Sequence, residues 1–266
     1  MSNQNRSHLW QKWHIAFQIA PWIIVIGIVK YFVNRYDYDV FELNALFTSL
    51  VAGTIFLIGF LISGVLTDYK ESEKLPSEMA GTIKNLFDDT YTIFKAKNSA
   101  TARQFLDYQR TLLDSISDWF YKKEKTAVIL NKISGMNGFF AELDKEGIQP
   151  NYLIKMKNEQ NGMRKILLRV DTIRDTNFVG SAYAIVEAMA VLITFGLIMI
   201  RIEPFYASLF ITVLVNFLIF YMILLIKDLD NPFDYSGKGE RDTEISLKPV
   251  HDLVTELKEF RLVEEG

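Results

Sequence analysis

With 266 residues, half of them hydrophobic, the chain is long enough for one or two domains and unusually apolar for a soluble protein. A net charge of −3 offers no basic surface for nucleic acid. The absence of cysteine excludes disulfides, thiolate nucleophiles and zinc–thiolate sites, and His8, His14 and His251 lie too far apart in sequence to pair as ligands.

The apolar residues fall into four blocks. His14 to Val29 is uncharged, and apolar character resumes past Lys30 through Tyr31-Phe32-Val33. With Pro21-Trp22 inside it and no small-x-small site after it, this block is expected to be a retained span rather than a cleaved signal. Ala45 to Thr67 is uncharged over about 23 residues, enough to cross a bilayer core of ~30 Å. Between Thr67 and the third block the sequence turns amphipathic. Pro76-Ser77-Glu78 opens a helix running to Phe94, and Lys97-Asn98-Ser99 breaks it. Two stripes follow at three- and four-residue intervals, Phe105 through Phe120 and then Ile129, Ile133, Met136, Phe140 and Leu143. Further breaks are predicted around Gly147 to Pro150 and near Asn161-Gly162, before a stripe of Met163, Ile166, Val170 and Ile173. The third block, Phe178 to Ile200, holds one charge, Glu187; the fourth, Pro204 to Ile226, holds none. A last helix is predicted over Val250 to Leu262.

The predicted fold is therefore an all-α membrane protein, with four transmembrane helices in two hairpins and a central helical cytoplasmic region. Residues 1–67 form the N-terminal tail and first hairpin, 68–177 the cytoplasmic region, 178–226 the second hairpin, and 227–266 a cytoplasmic tail. The orientation follows from basic flanks. Lys30, Arg35 and Arg201 are the only basic residues of the two short loops "KYFVNRYDYDVFELN" and "RIEP". Arg6, Lys12, Lys70, Lys74, Arg164, Lys165, Arg169, Arg174 and Lys227 crowd the other side, which the positive-inside rule makes cytoplasmic. A bacterial inner membrane and a eukaryotic plasma membrane fit equally.

No Walker-type loop, H-E-x-x-H or G-x-S-x-G is present, and "SGKGERD" reads as a polar loop, so neither enzyme nor cofactor is expected. Glu187 is the possible intramembrane polar site. It would face a cavity, or hydrogen-bond between helices or reach the interface. Ala52, Phe56 and Phe60 are spaced by four and share one face of the second helix. Gly53, Gly59, Ser63 and Gly64 give that helix small surfaces. The phenylalanines either meet lipid or a neighbouring helix, or they form a hydrophobic constriction when copies of the helix surround an axis.

Two motifs add to this. Gly59-Phe60 followed by "VLTDYKESEKLP", and Asn231-Pro232-Phe233 within "DLDNPFDYSGKGE", resemble the bestrophins and bestrophin-like membrane proteins. The resemblance implies a homopentameric channel for small inorganic ions, mostly chloride and other small anions, with the second helices lining an axial neck. Phe56 and Phe60 would match the family's neck phenylalanines, and Ala52 would replace a larger aliphatic residue there. At the cytoplasmic neck exit an Asp68 ring would favour cations and Lys70 anions. In eukaryotic bestrophins the Asn-Pro-Phe leads into an acidic run that helps hold calcium. Here Asp234, Tyr235, Ser236, Gly237, Lys238 and Gly239 follow, a poor oxygen cage, so no metal is expected. Two other readings compete: a non-conducting membrane scaffold that binds a partner through its cytoplasmic helices, and a carrier using Glu187.

Overall fold

The protein is described here by a computed structural model covering residues 2–175, 180–235 and 244–260. In chain order the elements are α1 (Ser2–Arg35), β1 (Phe41–Glu42), α2 (Ala45–Ser72), α3 (Leu75–Lys97), α4 (Ala100–Phe120), α5 (Thr126–Lys145), α6 (Pro150–Asp175), α7 (Gly180–Met199), β2 (Ile200–Arg201), α8 (Phe205–Asp230) and α9 (Lys248–Glu259). Four helical stretches, Trp13–Arg35, Ala45–Lys97, Pro150–Met199 and Phe205–Asp230, contain a window long and apolar enough to cross a membrane. Fold and hydropathy together make this an integral membrane protein. The "SGKGERD" loop, Phe178 and the last residues of the predicted C-terminal helix lie outside the described residues.

The chain forms two compact units. The first holds α1, α2 as far as Tyr69, β1, β2, α7 and α8. Ile15, Ile19, Ile23 and Ile26 recur at three- and four-residue spacing, so they bury one face of α1 against residues such as Val213 and Phe217 of α8. Ile58, Leu61 and Val65 of α2 share a second core with Ala190 and Ile193 of α7 and Ile219 of α8. In lipid, close packing rather than apolar burial holds helices together, and small residues set the approach. At Gly196 of α7 an added Cβ would stand 2.2 Å from the Phe47 ring, so only glycine accommodates that ring.

At one end of this unit the structure departs from the predicted loops. α1 continues five residues beyond Lys30, and the third block ends at Met199 because Ile200 and Arg201 pair in parallel with Phe41 and Glu42. Lys30 explains the arrangement. It is fully buried, and its ammonium donates to the carbonyls of Ile198, at 3.1 Å, and Ile200. These acceptors close the C-terminal end of α7, where carbonyls lack helical donors and the dipole is negative. Asp39, also buried, accepts from Asn34 Nδ2 at 2.7 Å.

The second unit holds Lys70 through α6, residues 232–235 and α9. Its stripes are the core: Phe105, Leu112, Ile116, Trp119 and Phe120 of α4 and all five stripe residues of α5 are buried. Two buried amides are paired within it: Gln109 Nε2 donates to Thr90 Oγ1 at 2.7 Å and Gln160 Nε2 to the Ile133 carbonyl at 2.6 Å. The predicted break near Asn161-Gly162 is not there, and α6 runs through both residues. Gly162 instead serves helix packing: a Cβ there would lie 3.3 Å from Thr82 Cγ2 of α3.

The α3–α4 corner shows how local chemistry stops and restarts a helix. Asn98 takes the left-handed conformation, φ 47°, and Ser99 accepts from the Ala102 amide at 2.9 Å as N-cap. The Ser99 hydroxyl also donates to Glu146, as does Thr101, tying the corner to the end of α5. Those hydrogen bonds, Ser99 first, hold the Glu146 carboxyl below the usual range. A depressed carboxyl contributes stability above its unfolded pKa and loses it as pH falls through the folded value. Glu146→Gln should lower the melting temperature of the full chain slightly at pH 7, because the site is solvent-exposed and worth below ~1 kcal/mol. The gap should shrink as pH falls below the ordinary carboxyl range and close once it passes the depressed folded value, and a gap that persists through acid, in a thermal melt followed by circular dichroism, would show that the charge contributes nothing.

A candidate pore-lining face on the second helix

α2 starts where Asn44 caps it, its Oδ1 accepting from the Phe47 amide at 2.9 Å. No proline or charge interrupts the next 23 residues, and the helix does not end with them: it carries Asp68, Tyr69 and Lys70 into its last turn at Ser72. One face, with Thr54, Ile58, Leu61 and Val65, is buried within the first unit. The opposite face is bare. Phe56 and Phe60 are 73% and 69% exposed, and Ala52 above them is exposed too. Ser49, Ser63, Thr67 and Lys70 extend the same exposed row in steps of three and four residues. The exposed faces of α7 and α8 are different in kind, built from Val191, Leu192 and Phe195, and from Phe210, Leu214 and Leu218. Those surfaces suit acyl chains; a row of hydroxyls and small residues around two phenyl groups does not resemble them.

The two ionisable residues at the end of α2 differ. Asp68 is half-buried and engaged, whereas Lys70 is exposed and makes no ion pair among the described residues. The next residue, Glu71, is held by a bidentate pair with Arg169, at 2.7 and 3.0 Å. Glu187, two turns into α7, faces Lys227 of α8 at 2.6 Å, each side chain about half exposed. That ion pair answers the cost of a carboxylate in an apolar helix by pairing it with an antiparallel neighbour. Among the described residues no group of three histidines and carboxylates converges on a point where a metal could sit.

No family model matches the chain, and no curated protein does. Solved structures do match. A bacterial bestrophin homologue from Klebsiella pneumoniae, phased on zinc, superposes with a TM-score of 0.74 at 15% identity, over 91% of this chain and 97% of that one. A point mutant of the Klebsiella homologue gives a TM-score of 0.73 at 15% identity, over 92% and 99%. The chain has the bestrophin fold. At this identity the likeness lies in the path of the backbone.

Within the bestrophin fold, the segment after α8 is where sequence reasoning missed most. Asn231 ends α8 with its Oδ1 buried and unpartnered. Phe233 is completely buried in the second unit, with its ring centroid 6.2 Å from that of Phe120. The Arg174 guanidinium stands 4.6 Å over the Trp119 ring and 6.0 Å from that of Phe233. It donates to the Phe120 carbonyl at 2.7 Å and to that of Trp119 at 3.3 Å. No carboxylate lies within ion-pair distance of it among the described residues. Lys122 pairs with Asp234 at 2.6 Å, and Ile245 donates its amide to the Pro232 carbonyl at 3.0 Å. Asp234 is thus already neutralised by a lysine. The sequence places Arg174 only among the basic residues near the membrane, and nothing local in it points to aromatic partners more than fifty positions away.

Proposed function

We propose that the protein is a bestrophin-like ion channel in which five copies surround an axis and their α2 helices line the pore. Ala52, Phe56 and Phe60 form its hydrophobic neck, and chloride or other small inorganic anions pass through it. The observation that carries the reading is the bare face of α2. Its row of hydroxyls and small residues differs from the apolar exposed faces of α7 and α8, and its two phenyl groups belong to neither buried core of the first unit. Gly53 and Gly59 support it, since among the described residues nothing comes within 4 Å of a Cβ added at either. Small residues without neighbours on a membrane helix suit the close approach of another copy. The shared bestrophin fold supports the same assembly, because the family resemblance implies a homopentamer. Both termini and the second unit are cytoplasmic by the positive-inside rule. Pro232 and Phe233 anchor residues 232–235 within the cytoplasmic unit, and Glu187 serves as an interhelical ion pair rather than a transport site.

Reconstitution tests this directly. Purified protein should assemble as five copies of 30.7 kDa in detergent. In a planar bilayer under a potassium chloride gradient it should carry current that reverses toward the chloride potential. An assembled, verifiably inserted protein that passes no current would instead favour a scaffold.

A further inference from the structure

The pore reading leaves open which group decides between anions and cations, and α2 supplies an answer. Around a helix each residue turns by about 100°, so Ser49 and Thr67 lie on the midline between Phe56 and Phe60. Lys70 lies about 60° from that midline and Asp68 about 100° from it. Exposure agrees with the angles: Lys70 is bare, and Asp68 is half-buried and engaged.

Two of the three hydroxyls on the face, those of Ser49 and Thr67, cannot offer a donor to an anion as they stand. Ser49 donates to the Ala45 carbonyl at 2.8 Å and Thr67 to the Ser63 carbonyl at 2.9 Å, so both turn lone pairs outward. An anion shedding water needs donors. The end of α2 is also the negative end of its dipole, worth about half an elementary charge against anions. The full charge of the Lys70 ammonium exceeds that, and Glu71 beside it is held by Arg169. By the same count Glu71 lies about 40° from the midline, but its carboxylate is taken up by Arg169, so Lys70 is the ionisable group beside the row that makes no ion pair among the described residues. We infer that Lys70 sets the charge selectivity of the pore, a ring of five ammonium groups at the inner end of the neck holding partly dehydrated monovalent anions as they leave the phenylalanine constriction. This inference rests on the pore reading.

The test uses the full chain in planar bilayers under asymmetric potassium chloride, with wild type, Lys70→Gln, Lys70→Glu and Asp68→Asn compared. Lys70 is exposed, so its variants should elute from size exclusion as wild type does. The chloride-over-potassium permeability ratio should fall by roughly an order of magnitude in Lys70→Gln and invert in Lys70→Glu, as expected when a charged ring changes sign. Asp68→Asn should leave it unchanged. Conducting Lys70 variants with the wild-type reversal potential overturn the role of Lys70 and leave the pore standing. So does a wild type that reverses toward potassium, or a shift confined to Asp68→Asn. Silence from all four, with insertion verified, overturns the pore itself and this inference with it.

Discussion

Replacing Phe56 and Phe60 together by alanine should raise single-channel conductance several-fold and remove closures that depend on the neck. A ring of phenyl groups around a narrow axis presents no hydrogen-bond partner to water, so the column there breaks easily and ions meet a dewetted barrier. Alanine removes the rings and lets the column reform. The fold should tolerate the change. Truncating a buried phenylalanine costs about 3–5 kcal/mol, but that figure counts packing lost on all sides. Phe56 and Phe60 are 73% and 69% exposed in the chain and belong to neither buried core of the first unit. The double variant should therefore melt close to wild type while conducting more. Paired bilayer recordings and thermal melts separate the alternatives. Unchanged conductance at unchanged stability would place the rings against lipid, and a large fall in stability would place them in a packed interface between copies.

Why that face could be read in advance, and its end could not, has a physical cause. Four-residue spacing on an uncharged helix survives any tertiary context, so Ala52, Phe56 and Phe60 fall on one face wherever the helix sits. The exit is different. Which of Asp68 and Lys70 meets the exposed row depends on where the helix stops, and a charged run after a span usually reads as its end. Because α2 continues to Ser72, both keep helical register, and only then do their angles separate them. The amphipathic stripes of α4 and α5 were legible for the same reason. Gly162 misled because a glycine beside an asparagine is a common helix break; its reason lies on α3, at Thr82. The β1–β2 pair was invisible, since two residues on each side carry no pattern. Lys30 and Arg174 were legible as charges and not as partners. One satisfies carbonyls about 170 positions away, and the other rests on rings 54 to 59 positions away.

Arg174 carries the other large expected effect. Its guanidinium lies over Trp119, donates to two main-chain carbonyls and closes over the buried ring of Phe233. A desolvated cation over an indole is worth about 2 kcal/mol. Hydrogen bonds from a charged donor add about 1.5–3 kcal/mol each where the geometry is good, as at Phe120. Arg174→Ala leaves those carbonyls without their donor and the aromatic cluster open on one side. A loss on the order of 3 kcal/mol follows, with the sum discounted because the contacts share one side chain. Arg174→Lys should recover only part of it, because an ammonium has no planar fork to reach both carbonyls while stacking on the indole. Loss of the Arg174 contact should also loosen residues 232–235, which leave α8 through Asn231 and are held by the same cluster. Tryptophan fluorescence during unfolding reads the first effect and hydrogen exchange over 232–235 the second. A double-mutant cycle with Phe233→Leu separates a shared latch from two independent contacts. Coupling well above ~0.5 kcal/mol is expected, and additive losses would show that Arg174 stabilises the end of α4 without gripping the chain beyond α8.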